Sequence, residues 1–169
     1  MKKLLSDISI LSIQLGESEF ATDFQKENKW LGFDPASEEE IEAAEKRLNI
    51  YFPEDYKNFL RITNGFTAPN IVETSFAKIE DVDYLEKLDP ELIQIWGSHE
   101  ELENDTYLLK KSILIAGIHE EQYFLLVPPN EKSDKWRYLK FAAWYPGIDE
   151  QTDLETYFND VLQFIEENK

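Results

Sequence analysis

The sequence predicts an α+β fold in a single domain: a mainly antiparallel sheet packed with a helix pair near the N-terminus and an amphipathic helix at the C-terminus. Three observations predict it. Apolar residues recur at helical spacing towards both ends of the chain, runs between them are rich in β-branched and aromatic residues, and two of those runs are separated by a hairpin-length turn. The 169 residues suit one domain with a sizeable core rather than two. With 11 Phe, 8 Tyr and 4 Trp, that core can form without covalent staples.

Taken in order, residues 1–29 are expected as an N-terminal extension, helical in part, and residues 30–169 as the main domain. The opening MKKLLSDISILSIQL has the basic start and apolar run of a secretory signal, but Asp7 and three serines interrupt it and no small-residue cleavage site follows. The best-specified local structure is SEEEIEAAEKRLNIYFPEDYKNFLRITNGF, Ser37 to Phe66. Ser37 and Glu40 form a capping box, Ile41, Ala44 and Leu48 line one helix stripe, and Asn49 suits a left-handed stop. Glu45 borders the stripe, either with its head in water or making a fixed hydrogen bond that orients the two helices. Pro53 opens the second helix, with Glu54 and Asp55 in the first turn where the dipole favours acids. Tyr56, Phe59, Leu60 and Thr63 follow at helical spacing, and Asn64 and Gly65 end the helix, with a positive φ expected at the stop.

Strands are expected in residues 70–79, 112–118, 122–128 and 136–144, with residues 118–122 turning a hairpin. Short helices fit residues 81–88 and 90–95 between the first two. The final helix carries Leu154, Tyr157, Phe158, Val161, Leu162 and Ile165 on one face, with Thr152 and Glu155 as its capping box.

Composition narrows function. Net charge is −18, from 17 Lys and Arg against 35 Asp and Glu, which argues against direct nucleic-acid binding. Residues 80–105 hold ten acids against Lys87 alone, half of that net charge. They form either a solvated face or a surface that steers a basic partner, with Asp81, Asp83, Glu86, Glu100, Glu101 and Glu103 as candidates. The turn WYPG presents Trp144 and Tyr145, residue types enriched in binding hot spots, although the four tryptophans also suit lids over a core. The chain contains no cysteine, and His99 and His119 do not fall into a His-Glu-x-x-His motif. Phosphate-binding glycine loops and a G-x-S-x-G elbow are missing from the sequence, so no catalytic, cofactor-binding or metal-ligating residue is assigned. No run approaches the roughly 18 apolar residues of a membrane span.

The stretch WLGFDPASEEEIEAAEKRLNIYFPEDYKNFLRITNGF resembles the opening motif of the SUKH superfamily, which includes bacterial immunity proteins and yeast cell-wall synthesis regulators. The positions that carry the resemblance are Trp30, Ile41, Glu45, Leu48, Pro53, Tyr56, Leu60, Asn64 and Gly65. ILIAGIHEEQYFLLVPP resembles the family's central hairpin, and FAAWYPG, with Gly147, its closing segment. The resemblance implies an α+β domain and a cytoplasmic immunity protein, without cofactor or catalysis, that binds and occludes a cognate polymorphic toxin. Many such toxins are nucleases, whose basic grooves an acidic protein can occupy. The alternatives that follow it are a protein-binding scaffold or regulator, which the family also allows, and a small-ligand-binding domain using a cleft near Trp144 and Tyr145. A monomer is expected.

Overall fold

The computed structural model describes residues 1–130, 135–142 and 148–168. Helices α1 (Lys2–Leu15) and α2 (Asp23–Asn28) precede the expected pair, α3 (Glu38–Leu48) and α4 (Glu54–Leu60). Helices α5 (Leu85–Leu88), α6 (Pro90–Gly97) and α7 (Glu103–Lys111) occupy the acidic stretch, and α8 (Leu154–Glu167) follows the sheet. Strands β1 (Asp83–Tyr84), β2 (Ile113–Ala116), β3 (Gln122–Val127), β4 (Arg137–Ala142) and β5 (Ile148–Gln151) pair antiparallel in sequence order.

Both faces of this sheet are covered, which explains why β2 and β3 read as continuous apolar runs rather than alternating ones. Because side chains alternate, Phe124 and Leu126 enter a core shared with α1, α3, α4 and α8, while Leu125 and Val127 enter a second core. That second core is closed by Leu85, Leu92, Ile93 and Leu109 from α5 to α7. The acidic stretch is therefore a helical lid. Its apolar residues face the sheet. Helix α6 matches the helix expected at 90–95. Of the helix expected at 81–88 only Leu85–Leu88 forms, because Asp83 and Tyr84 pair with β2 as strand β1, and α7 is additional to the sequence expectation.

Helix α1 belongs to the first core, where Leu5 and Ile8 are fully buried. Two serines that interrupt its apolar run also face inward. Ser9 accepts a hydrogen bond from the Leu31 N–H at 3.1 Å, and the Ser12 hydroxyl donates to the Pro69 carbonyl. These bonds satisfy backbone groups that would otherwise be buried without partners.

Helix α3 forms with the caps its sequence specifies. The Ser37 Oγ accepts from the Glu40 N–H at 3.2 Å, Glu40 accepts from the Ser37 N–H at 2.7 Å, and Asn49 closes α3 at φ 54°. Glu45 takes the second of its two expected roles: its Oε1 accepts from the Phe52 N–H at 2.8 Å, with the Lys57 ammonium 3.7 Å away. This fixes the connection between α3 and α4. Glu45→Ala should cost about 1–3 kcal/mol in urea denaturation by orphaning the Phe52 donor, and Glu45→Gln, which keeps an acceptor, should cost less. Equal losses for the two variants would show that packing, rather than the hydrogen bond, makes the contribution.

Arg61 ties the start of α3 to α4, donating to Glu38 at 2.6 and 3.0 Å and to Glu54 at 2.6 Å. These hydrogen bonds hold both carboxyls below the usual carboxylate range. Their contribution is present at neutral pH and disappears as pH falls through the lowered values.

Four local expectations need correction. Residues 70–79 do not form a strand beyond bridges at Phe76, because Asn70 Oδ1 accepts from the Val72 and Glu73 N–H groups at 2.9 and 2.8 Å and turns the chain. Helix α4 ends at Leu60 with Arg61 as its C-cap, so Thr63 and the expected stop at Asn64 and Gly65 lie past its end, where the Thr63 hydroxyl accepts from the Phe33 N–H at 2.8 Å. Helix α8 is capped one residue later than expected: the Asp153 side chain, rather than Thr152, takes the Thr156 N–H at 2.7 Å. Strand β5 was not foreseen, since IDEQ has one apolar residue; its place is set by backbone pairing to β4, and its acids blunt a sheet edge.

Candidate protein-binding surface

The acids of the lid divide by what holds them. Asp89 caps α6, accepting from the Leu92 N–H at 3.0 Å, and receives the Tyr123 hydroxyl at 2.6 Å. Asp83 is only 6% exposed; it accepts from the Tyr84 N–H at 2.8 Å, pairs with Arg47 at 3.5 Å and contacts the Lys87 ammonium. Its charge is turned into the fold. Asp81, Glu86, Glu100, Glu101 and Glu103 are exposed, as is Glu91, which composition alone did not single out. They sit on the turn before β1, on α5 and α6, on the 3-10 turn Glu100–Leu102 and, for Glu103, at the start of α7.

A cleft of about 800 Å³ opens where α6 gives way to α7, lined by Gly97, His99, Glu100, Glu103, Tyr107 and Lys110. Tyr107 is 65% exposed there. Glu100 and Glu103 therefore share this concavity with one large amphipathic ring, an arrangement suited to receive a basic, partly apolar protein surface. Glu103 and Asp105 also stand in the first turn of α7, with Lys110 and Lys111 in its last, so part of this charge complements the helix dipole.

The motif residues of the helix pair lie elsewhere. Ile41, Leu48, Tyr56 and Leu60 are core, and Trp30 packs edge-on against Phe66 at 5.8 Å. Pro53 is the N-cap of α4. Asn64 clamps the chain entering the lid, accepting from the Ile79 N–H at 2.7 Å and donating to Glu80 at 3.2 Å. Gly65 has φ 96°. Trp96 packs edge-on against Phe141 at 5.1 Å, a lid over the second core. Trp144, Tyr145 and Gly147 fall outside the described residues. His119 adopts φ 66° in the β2–β3 turn and His99 precedes the 3-10 turn; both are exposed. No helix among the described residues is long and apolar enough to cross a membrane.

One group of exposed residues escaped the sequence reading. Ile71 and Val72 lie in the stretch whose sequence predicts a strand, and Phe164 sits beside, not on, the apolar stripe of α8. Its position off that stripe was the available signal.

Comparison with curated proteins gives no match. A family model described as the SMI1 / KNR4 family (SUKH-1) matches residues 35–167, from just before α3 to the end of α8. Helices α1 and α2 precede the matched span, although α1 contributes to the same core. The match covers most of the chain and contains the capped helix pair, the lid and the sheet, and on it the chain belongs to the SMI1 / KNR4 family (SUKH-1).

Proposed function

We propose that this protein is a cytoplasmic immunity protein that binds a cognate polymorphic toxin and blocks it by occlusion, acting as a monomer and without catalysis or cofactor. Family membership supports a toxin partner in general. The observation that carries the finer reading is the exposed acid set Asp81, Glu86, Glu100, Glu101 and Glu103 on the lid, of which Glu100 and Glu103 line the α6–α7 cleft, on a chain of net charge −18. A toxin built to hold nucleic acid presents a basic groove, and an acidic surface both steers towards such a groove and competes with its polyanionic substrate.

Capture of a stoichiometric partner from source-cell lysate by the tagged chain, followed by an activity assay on that partner, tests the reading. An inhibited nuclease or other toxic domain is the expected result. Recovery of signalling or cell-wall factors only would favour the scaffold reading, and a ligand-induced rise in melting temperature with no protein partner would favour a small-ligand receptor.

The steering component has its own test. Reversing Glu86, Glu100, Glu101 and Glu103 to lysine should slow association with the captured partner by about tenfold or more at low salt and flatten its salt dependence. Asp83 is left out of this set because its reversal would break a buried ion pair. An unchanged rate and salt slope would remove these acids from the mechanism.

A further inference from the structure

Three of the exposed large apolar side chains line one groove of about 700 Å³: Ile71, 76% exposed, Val72 and Phe164. Its other walls are Ile13 and Gly16 at the C-terminal end of α1, beside exposed Leu15. The groove therefore joins the ends of two helices from the first core to the loop after Pro69. It is separate from the acidic lid, which packs on the other core.

The loop that carries Ile71 is held from several sides. The Ser12 hydroxyl donates to the Pro69 carbonyl, Gln122 Nε2 donates to the Val72 carbonyl at 3.1 Å, and Asn70 Oδ1 closes the turn. Glu73 accepts from the Lys140 ammonium at 2.9 Å and from the Tyr157 hydroxyl at 2.7 Å. Side chains displayed on such a fixed loop lose little conformational freedom on binding, which favours a docking role. The Nδ2 of Asn70, a groove-lining residue, is buried without a hydrogen-bond partner.

Charge selects the occupant. Two copies of a chain with net charge −18 repel each other, whereas Glu17 and Glu19 against Lys26 leave the groove mouth acidic. We infer that the groove seats a leucine or aromatic side chain carried on a basic segment of a protein partner. This rests on the proposed function only for the partner's positive charge. The two surfaces would then divide the work, with the lid's acids governing the on-rate and the apolar seat governing the off-rate.

The test uses the full ¹⁵N-labelled chain and three capped hexapeptides: a Leu-Phe pair flanked by lysines, the same pair flanked by glutamates, and a Gly-Ser pair flanked by lysines. Saturable amide shifts at Ile13, Gly16, Ile71, Val72 and Phe164 are expected with the first, and affinity at least about tenfold lower with the other two. Ile71→Asp and Phe164→Glu, both at exposed positions, should keep the melting temperature and remove the shifts. Equal binding of the Gly-Ser peptide, or shifts confined to the lid, would overturn the inference. Concentration-dependent self-association of the chain that Ile71→Asp abolishes would assign the groove to a second copy instead and overturn it as well. The peptides involve no toxin, so failure here leaves toxin neutralisation standing, and failure to capture a toxin leaves the peptide result standing.

Discussion

Gly65→Val is expected to destabilise the fold by about 3 kcal/mol or more, read as a lower urea midpoint at unchanged slope. Two independent costs add. Gly65 has φ 96°, a conformation that β-branched residues resist, and a Cβ there would lie 3.0 Å from the Phe76 carbonyl oxygen and 3.3 Å from backbone atoms of Ala77 and Lys78. That carbonyl accepts the Phe66 N–H at 3.1 Å, and Phe76 donates back to Phe66 at 2.8 Å. Backbone cannot yield here without opening the bridge that carries the chain from the helix pair to the sheet edge. Gly65→Ala should fall between wild type and valine, since it keeps the close contact but lacks the branch. A midpoint unaltered by valine would refute the assignment.

The second large effect is expected at Phe158. Its ring is 1% exposed and lies 5.8 Å from Phe59, 5.9 Å from Phe66, 5.2 Å from Phe76 and 5.0 Å from Tyr157. It thus joins α4, the bridge segments and α8 in one aromatic cluster. Phe158→Ala should cost about 3–5 kcal/mol, from lost transfer energy and the cavity left among rings that cannot collapse. Phe164→Ala on the same helix, where the ring is 42% exposed, should stay within roughly 0.5 kcal/mol. Comparable losses at the two positions would mean that α8 is rotated relative to its observed packing.

How much of this was legible in the sequence depends on the range of the interaction that decides each feature. The capping box at Ser37, the left-handed stop at Asn49 and the apolar stripe of α8 depend on residues within about four positions of one another, and they appear where the sequence places them. The family motif was legible for the same reason, since its helix pair is a local unit. Glu45 shows the limit. Its two possible roles were both visible, but choosing between them required knowing where the Phe52 N–H would point.

The candidate surface was legible as composition and not as geometry. Ten acids between Glu80 and Asp105 could be counted, yet only the fold separates Asp83 and Asp89, which hold structure together, from the acids that face outward. The groove at Ile71 was out of reach, because its walls come from residues 13–16, 71–72 and 164.

By itself the sequence determined the α+β class, the helix pair with its caps, the antiparallel β2–β3 hairpin and the strongly acidic character, all properties of neighbouring residues or of composition. Tertiary structure alone decided that α5 to α7 cover the second sheet face, that IDEQ becomes a strand, and that residues 70–79 turn at Asn70 and pair only through bridges at Phe76. Those outcomes depend on which backbone donors and acceptors, and which apolar faces, remain to be satisfied once distant segments have met.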